Sequence, residues 1–194
     1  MKKPNYSELY RDKKYKNLDK IKLFKLIKML VSGKKILDIA CGTGYLLDFL
    51  GGGMGIDMNY NLIAECKKNY PKNNFIVSDC YHIPLQEKQF DTIVMCMIIE
   101  HLTKPEKTLL EAKRLLKNSG NLIIVTPRRN DLFYKLFVKK DPTHVKEYTK
   151  KELLDLVSGF FAINNIEFGS VSTKIPSWMT YLVKSDILIN CNKK

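Results

Sequence analysis

A doubly wound α/β sheet is the architecture this sequence predicts, and three observations predict it. Short apolar runs without polar alternation recur along the chain, the pattern of strands buried on both faces. Helix-period stretches separate them, as parallel strands need for their crossovers. The first apolar run, Ile36-Leu37-Asp38-Ile39-Ala40, leads into Cys41-Gly42-Thr43-Gly44, a turn too tight for side chains, and a helix-like stretch opens at Tyr45.

Taken in order, the first element is a helix over Ile21–Val31, with Leu23, Phe24, Ile27, Leu30 and Val31 on one face and Lys22, Lys25 and Lys28 mostly elsewhere. Its broad apolar stripe favours packing on the sheet over lying on an anionic membrane, and Gly33 is a stop signal. Strands are predicted over Lys35–Ala40, Met54–Asp57, Asn74–Ser78, Phe90–Met97 and Asn121–Thr126. Helices lie between them over Tyr45–Leu50, Asn61–Tyr70 and Pro105–Lys117, the last halted by Asn118-Ser119-Gly120. Thr149 caps a further helix, Lys150–Val157, with Gly159 just past its end. Phe160–Phe168 and Ile187–Cys191 read as two last strands.

Composition sets the bounds. A length of 194 residues suits one core, divided here into an N-terminal basic helix and lid segment, 1–34, packed on a domain of 35–194. No apolar run succeeds the first charges as in a secretory leader, and no stretch reaches the ~18–20 apolar residues of a membrane span. The five cysteines form no CxxC pair, which suits a reducing cytoplasm and small buried hydrophobes. The net charge of +13 is uneven: residues 1–35 hold twelve basic side chains against three acidic, 36–127 nine against ten, and 128–194 twelve against seven. Only four of the basic residues are Arg, so this Lys-dominated excess favours a solvated surface over a nucleic-acid reader.

The glycine turn carries the first chemical signal. A nucleoside cofactor can press against bare backbone at Gly42 and Gly44, and Asp57, closing the second strand, offers a carboxylate to ribose hydroxyls. Met58 then gives the adenine an apolar face. Asp57 could instead cap the next helix; the upstream glycines favour the ligand role. A dinucleotide fingerprint needs Gly or Ala three residues after the second glycine, and Leu47 stands there, which disfavours NAD or FAD.

Ile36–Gly44, Asp57, Ser78-Asp79-Cys80 and Phe90–Leu102, in that order, resemble the class I S-adenosylmethionine-dependent methyltransferases, in the group akin to quinone-biosynthesis methylases, over roughly residues 36 to 192. The resemblance implies a Rossmann-like methyltransferase fold: a seven-stranded, mostly parallel sheet with an antiparallel last strand. It implies S-adenosyl-L-methionine as cofactor. Asp38 would hold the glycine loop and the cofactor's amino-acid end, unless it only stabilises the turn. Asp79 would accept from the adenine amine while the Cys80 amide donates to a ring nitrogen. Cys96, closing the fourth strand, joins the cofactor-binding set with Gly42, Gly44 and Met58. Ala40 replaces the first glycine of many members, and its single methyl is expected to be tolerated.

Cys96-Met97-Ile98-Ile99 lacks the Asn/Asp-Pro-Pro-aromatic cluster usual in methylases of nucleobase amines. Some relatives place a metal using a second acid three positions before the Glu100-His101 pair. Met97 stands there, and one carboxylate with one imidazole is too few, so no metal is expected. His101 and His144 are the candidate bases, each open to a purely structural role; His82 reads as structural. The N-terminal Tyr6, Tyr10 and Tyr15 and the stretch Arg128–Lys146 are candidate lids, and their basic character suggests an anionic acceptor. The resulting expectation is methyl transfer to a small-molecule or lipid-like acceptor, oxygen being favoured by the resemblance alone. An RNA-modifying methylase and a non-catalytic cofactor-binding regulator are the alternatives. No sequence feature specifies an oligomeric state.

Overall fold

The computed structural model describes residues 18–128, 141–169 and 186–194. Its elements are α1 (Leu18–Leu30), β1 (Ile36–Ile39), α2 (Tyr45–Leu50), β2 (Met54–Asp57), α3 (Tyr60–Asn69), β3 (Asn74–Val77), β4 (Phe90–Cys96), a 3₁₀ turn (Ile99–His101), α4 (Pro105–Leu115), β5 (Leu116–Pro127), α5 (Lys150–Ser158), β6 (Phe161–Gly169) and β7 (Asp186–Lys193). They form a seven-stranded sheet in the order β3-β2-β1-β4-β5-β7-β6. β1 to β5 run parallel, while β7 is antiparallel to both β5 and β6. The chain winds outward from β1 to β3 and returns beside β1 at β4, which creates a crevice at the carboxyl ends of β1 and β4.

The period of two in the strands feeds two separate cores. Leu37, Ile39, Ile93, Met95, Leu122 and Ile124 face α4 and α5. Ile36, Val94, Ile123, Val125 and Leu188 face α1, α2 and α3. That double burial explains why the strands carry no polar alternation. In α1, Leu23, Phe24 and Ile27 are buried against this second layer, so its apolar stripe is spent inside the molecule. No helix among the described residues is long and apolar enough to cross a membrane.

Several boundaries differ from the sequence reading, and those of α4, β1 and β4 have a local physical reason. α4 ends at Leu115, and Leu116 is already extended, at φ −70° and ψ 140°, pairing with Phe90. Lys117 to Gly120 therefore belong to β5 rather than to a helix end; burial of both Leu115 and Leu116 is achieved by leaving the helix between them. β1 and β4 each stop one residue early, because Ala40 (φ 61°) and Met97 (φ 56°) adopt left-handed backbone that cannot continue a strand. Gly159 closes α5 in ordinary right-handed geometry, and the start of that helix is fixed by a full capping box between Thr149 and Glu152.

At the opposite, amino-terminal edge of the parallel strands a polar clasp holds α1 to the sheet. The Thr92 hydroxyl accepts from the Ser32 amide (2.9 Å) and donates to Asn121 Oδ1 (2.7 Å). Asn121 Nδ2 donates to the Leu30 carbonyl and to Asn190 Oδ1, both at 2.9 Å. Beside it, Asp91 accepts from the Lys34 and Lys35 amides and from Lys117 Nζ at 2.6 Å. The Lys117 ammonium, then the backbone donors, hold this carboxyl down at about 2. Its contribution to stability is complete above the ordinary carboxylate range and is lost as pH falls toward that value. Asp91→Asn should lower stability by about 1–2 kcal/mol at neutral pH, after discounting for partial exposure. Urea titrations at pH 7 and below pH 3 should show that difference shrinking in acid.

Candidate functional site

The β1–α2 loop is shaped by backbone that side chains would obstruct. The Cys41 amide donates to the Ile56 carbonyl at 2.8 Å, extending the β1–β2 contact, and the Gly44 amide donates back to the Cys41 carbonyl at 2.9 Å. Between them the Gly42 amide donates to Asp57 Oδ2 at 3.0 Å. At Gly42 (φ 54°) an added Cβ would meet nothing within 4 Å, so bare backbone faces open space. At Gly44 (φ 72°) an added Cβ would lie 3.0 Å from Cys66 Sγ and from the Phe75 ring. Ala40 shares this left-handed region, where an L side chain costs about 1–2 kcal/mol. Its methyl carries a conformational cost that a glycine would not.

Asp57 holds two loops at once. Besides Gly42 it accepts from the Asn59 amide through Oδ1 at 2.9 Å. It does not cap α3: Asn59 does, accepting from the Asn61 and Leu62 amides. Each Asp57 oxygen keeps lone-pair capacity for a further donor. Met58, next in the chain, is 76% exposed and presents an apolar surface to solvent. Asp38 is buried in β1, opposite Gly55 and Val94. Burial, then the nearby Asp57 charge, pushes its carboxyl up to about 8.

Asp79 lies just past β3 and accepts from the Tyr81 amide at 2.9 Å. Cys80 accepts a hydrogen bond from the Thr108 hydroxyl, and burial pushes its thiol up. Arg114 pins the segment after them by donating to the Ile83 and Leu85 carbonyls while pairing with Glu111. Cys96 closes β4 in a half-buried position, where desolvation, then Asp38, raises its thiol. Asp38, Ala40, Gly42, Gly44, Asp57, Met58, Asp79, Cys80 and Cys96 thus all lie at or just beyond the carboxyl ends of β1 to β4.

A second cluster adjoins them at the tip of β4. The Glu100 carbonyl accepts from the Val145 and Lys146 amides, which fastens the 141–148 segment to the 3₁₀ turn. That contact brings the rings of His101 and His144 edge to face, 4.9 Å apart. His101 Nδ1 donates to the Thr143 carbonyl and His144 Nδ1 donates to Glu147 Oε1, both at 3.1 Å. These bonds fix both tautomers and leave both Nε2 atoms as acceptors. Glu100, almost wholly buried, accepts from the Thr126 hydroxyl at 2.9 Å, and burial pushes its carboxyl up. Ligand atoms of Glu100, His101 and His144 lie within 4.8 Å of one another. The fold thus brings a second imidazole beside the one carboxylate and one imidazole counted in the sequence, a group near enough to hold a metal ion.

Asp186 is a site-edge residue that sequence reasoning missed. It opens β7 opposite Pro127, is buried, and its Oδ2 has no hydrogen-bond partner among the described residues. Burial, then the Glu100 charge, pushes it up to about 7. An acid opening the apolar run Ile187-Leu188-Ile189 was the available signal. His82 lies on the loop after β3, partly exposed. Tyr6, Tyr10, Tyr15 and most of the Arg128–Lys146 stretch, residues 129–140, lie outside the described residues.

The two glycines should separate in a stability measurement. Gly42→Ala should cost about 1–2 kcal/mol, for left-handed strain alone. Gly44→Ala should cost about 2–4 kcal/mol, since the methyl also strikes Cys66 and Phe75. Chemical denaturation of the two variants beside the parent protein checks the order.

Known proteins agree with this geometry. Residues 37–124 match the methyltransferase domain family. A probable S-adenosylmethionine-dependent methyltransferase of Mycobacterium tuberculosis is 25% identical over 130 residues, 65% of this chain and 47% of that protein. A ubiquinone biosynthesis O-methyltransferase of Glaesserella parasuis is 30% identical over 121 residues, 55% of this chain and 50% of that protein. The chain spans about half the length of the curated relatives it matches. Among solved structures, an S-adenosylmethionine-dependent methyltransferase from Aquifex aeolicus superimposes with a TM-score of 0.76 at 17% identity, covering 99% of this chain and 100% of that one. Its domain match over residues 37–124, its sheet order and the open glycine cradle joined to Asp57 make the chain similar in sequence and fold to the class I S-adenosylmethionine-dependent methyltransferases.

Proposed function

We propose that this protein methylates a hydroxyl oxygen of a small or lipid-like acceptor at the crevice above β1 and β4. The observation that carries the reading is the His101–His144 pair, with both Nδ1 atoms anchored and both Nε2 atoms left to accept a proton. The name of one relative, the O-methyltransferase above, supports oxygen as the target atom, and that of a demethylmenaquinone methyltransferase of Thermotoga maritima supports a quinone-like acceptor.

The described residues fit the cofactor. Open space at Gly42 admits a ligand against the backbone, and Asp57 retains acceptor capacity for the ribose hydroxyls. Met58 would cover one adenine face, Asp79 and the Cys80 amide would read its edge, and Asp38 with Cys96 would meet the amino-acid end. The bound sulfonium supplies an already activated methyl group. The protein's part is then to orient the acceptor oxygen, exclude water and hold the departing proton. His101 or His144 takes that proton at Nε2, and buried Glu100 stabilises the imidazolium that results. Facing groups here are carboxyls and imidazoles, so the reacting end of the acceptor enters as a hydrogen-bond donor; any anionic part of it would lie toward the basic flanks.

His101→Ala and His144→Ala should lower kcat by about 10²–10⁴ with a catechol as acceptor. S-adenosylhomocysteine affinity, read by calorimetry, should stay unchanged in both. Loss of activity on adding a chelator, with recovery on adding Mn²⁺, would instead assign Glu100, His101 and His144 to a metal. Asp57→Ala should weaken S-adenosylhomocysteine binding by about tenfold to a hundredfold. Asp38 gives a pH dependence of known sign. Its carboxyl is neutral below about 8, while the ligand's ammonium group needs the carboxylate. Affinity should therefore rise from pH 6 toward pH 8, by up to about tenfold per unit, and Asp38→Asn should flatten the profile.

A further inference from the structure

Two thiols lie directly beneath the loop that cradles the cofactor. Cys41 is in that loop, between Ala40 and Gly42, and Cys66 projects from α3. Cys66 donates its S–H at 3.3 Å to the carbonyl of Gly42, the residue next to Cys41. Both sulfurs border the same Phe75 ring. A Cβ added at Gly44 would lie 3.0 Å from Cys66 Sγ and from Phe75, and one added at Gly55 would lie 2.8 Å from Cys41 Sγ and from Phe75. The loop's glycines are thus packed against sulfur, and any movement of either sulfur moves the cradle.

We propose that Cys41 and Cys66 form an oxidative modification site, at which a peroxide converts the two thiols to a disulfide that displaces the glycine loop and suppresses cofactor binding. The neighbouring Cys41 thiol lowers the Cys66 thiol and is itself raised, so Cys66 is the first nucleophile. Its sulfur attacks peroxide, the O–O bond breaks, and a sulfenic acid and one water result. The Cys41 sulfur then attacks the sulfenic sulfur; the S–S bond forms, the S–O bond breaks, and the oxygen leaves with the thiol proton as a second water. Two thiols are oxidised and one peroxide is reduced. A disulfide holds its sulfurs at about 2.05 Å, much closer than two unbonded thiols. Closing that gap removes the Cys66 bond to Gly42 and draws the loop toward α3, away from Asp57. Cys66 is only 1% exposed and Cys41 8%, so the reaction waits on loop opening, and bound cofactor opposes it.

The full chain supplies the test. After treatment with hydrogen peroxide, free thiols are alkylated and the protein is cut with trypsin. Both cysteines fall within one peptide, Ile36 to Lys67, which contains no internal Lys or Arg. That peptide should appear lighter by two hydrogens and unalkylated, and reduction should reverse both. S-adenosylhomocysteine affinity should fall by at least about tenfold, or 1.4 kcal/mol, and recover with dithiothreitol. Saturating S-adenosylhomocysteine present during oxidation should slow disulfide formation. Cys66→Ser should bind S-adenosylhomocysteine before and after peroxide alike. An alkylatable Ile36–Lys67 peptide after peroxide, or a disulfide that leaves affinity unchanged, overturns the proposal. Equal loss of affinity in Cys66→Ser also overturns it, by assigning the damage to another residue. Peptide mapping and the dithiothreitol reversal are read on the unaltered protein, so the proposal is decided even if Cys66→Ser fails to fold.

Discussion

One carboxylate organises the cofactor end of this protein. Asp57 receives the Gly42 amide through one oxygen and the Asn59 amide through the other, and so ties the β1–α2 loop to the start of α3. The parallel pairing of β1 with β2 sets the distance over which that tie operates. Without it the glycine loop would keep the Cys41 and Gly44 backbone bonds and the Cys66 thiol on the Gly42 carbonyl, and its open face would lack a fixed orientation. Hydrogen bonds to an ionised acceptor are about twice as strong as neutral ones, which makes this a firm pivot.

Strain gathers at the same edge. Ala40 and Met97 are non-glycine residues in left-handed backbone, and they stand just past the two central strands on either side of the topological switch. Each sends the chain sharply off the sheet, so the crevice opens between two abrupt exits. The opposite edge carries the compensating order: Thr92, Asn121, Asn190 and Ser32 share a buried hydrogen-bond clasp, and Asp91 gathers three donors. Rigid polar satisfaction at one end allows irregular backbone at the other.

The sheet was legible in the sequence because its apolar runs are short, unalternating and punctuated by glycine. The candidate cofactor residues could be grouped from sequence because they sit near or past strand ends at motif spacing. The features that escaped reading were long-range. Nothing near Glu100 in sequence announces His144, which reaches it only through the Val145 and Lys146 amides. The β5 boundary escaped because Asn118-Ser119-Gly120 looks like a helix stop, whereas Leu116 turns extended to bury beside Phe90. Asp57 carried two readings until Asn59 proved to be the cap. Ala40 could be judged only by side-chain size until its backbone angle was known.

The pairing of Pro127 with Asp186 limits how far the sheet can zip. An imino acid has no hydrogen to donate, so Asp186 faces a rung that proline cannot complete. Asp186 Oδ2 is left there without a hydrogen-bond partner among the described residues. A buried acceptor in that position favours a ligand group that bears a polar hydrogen.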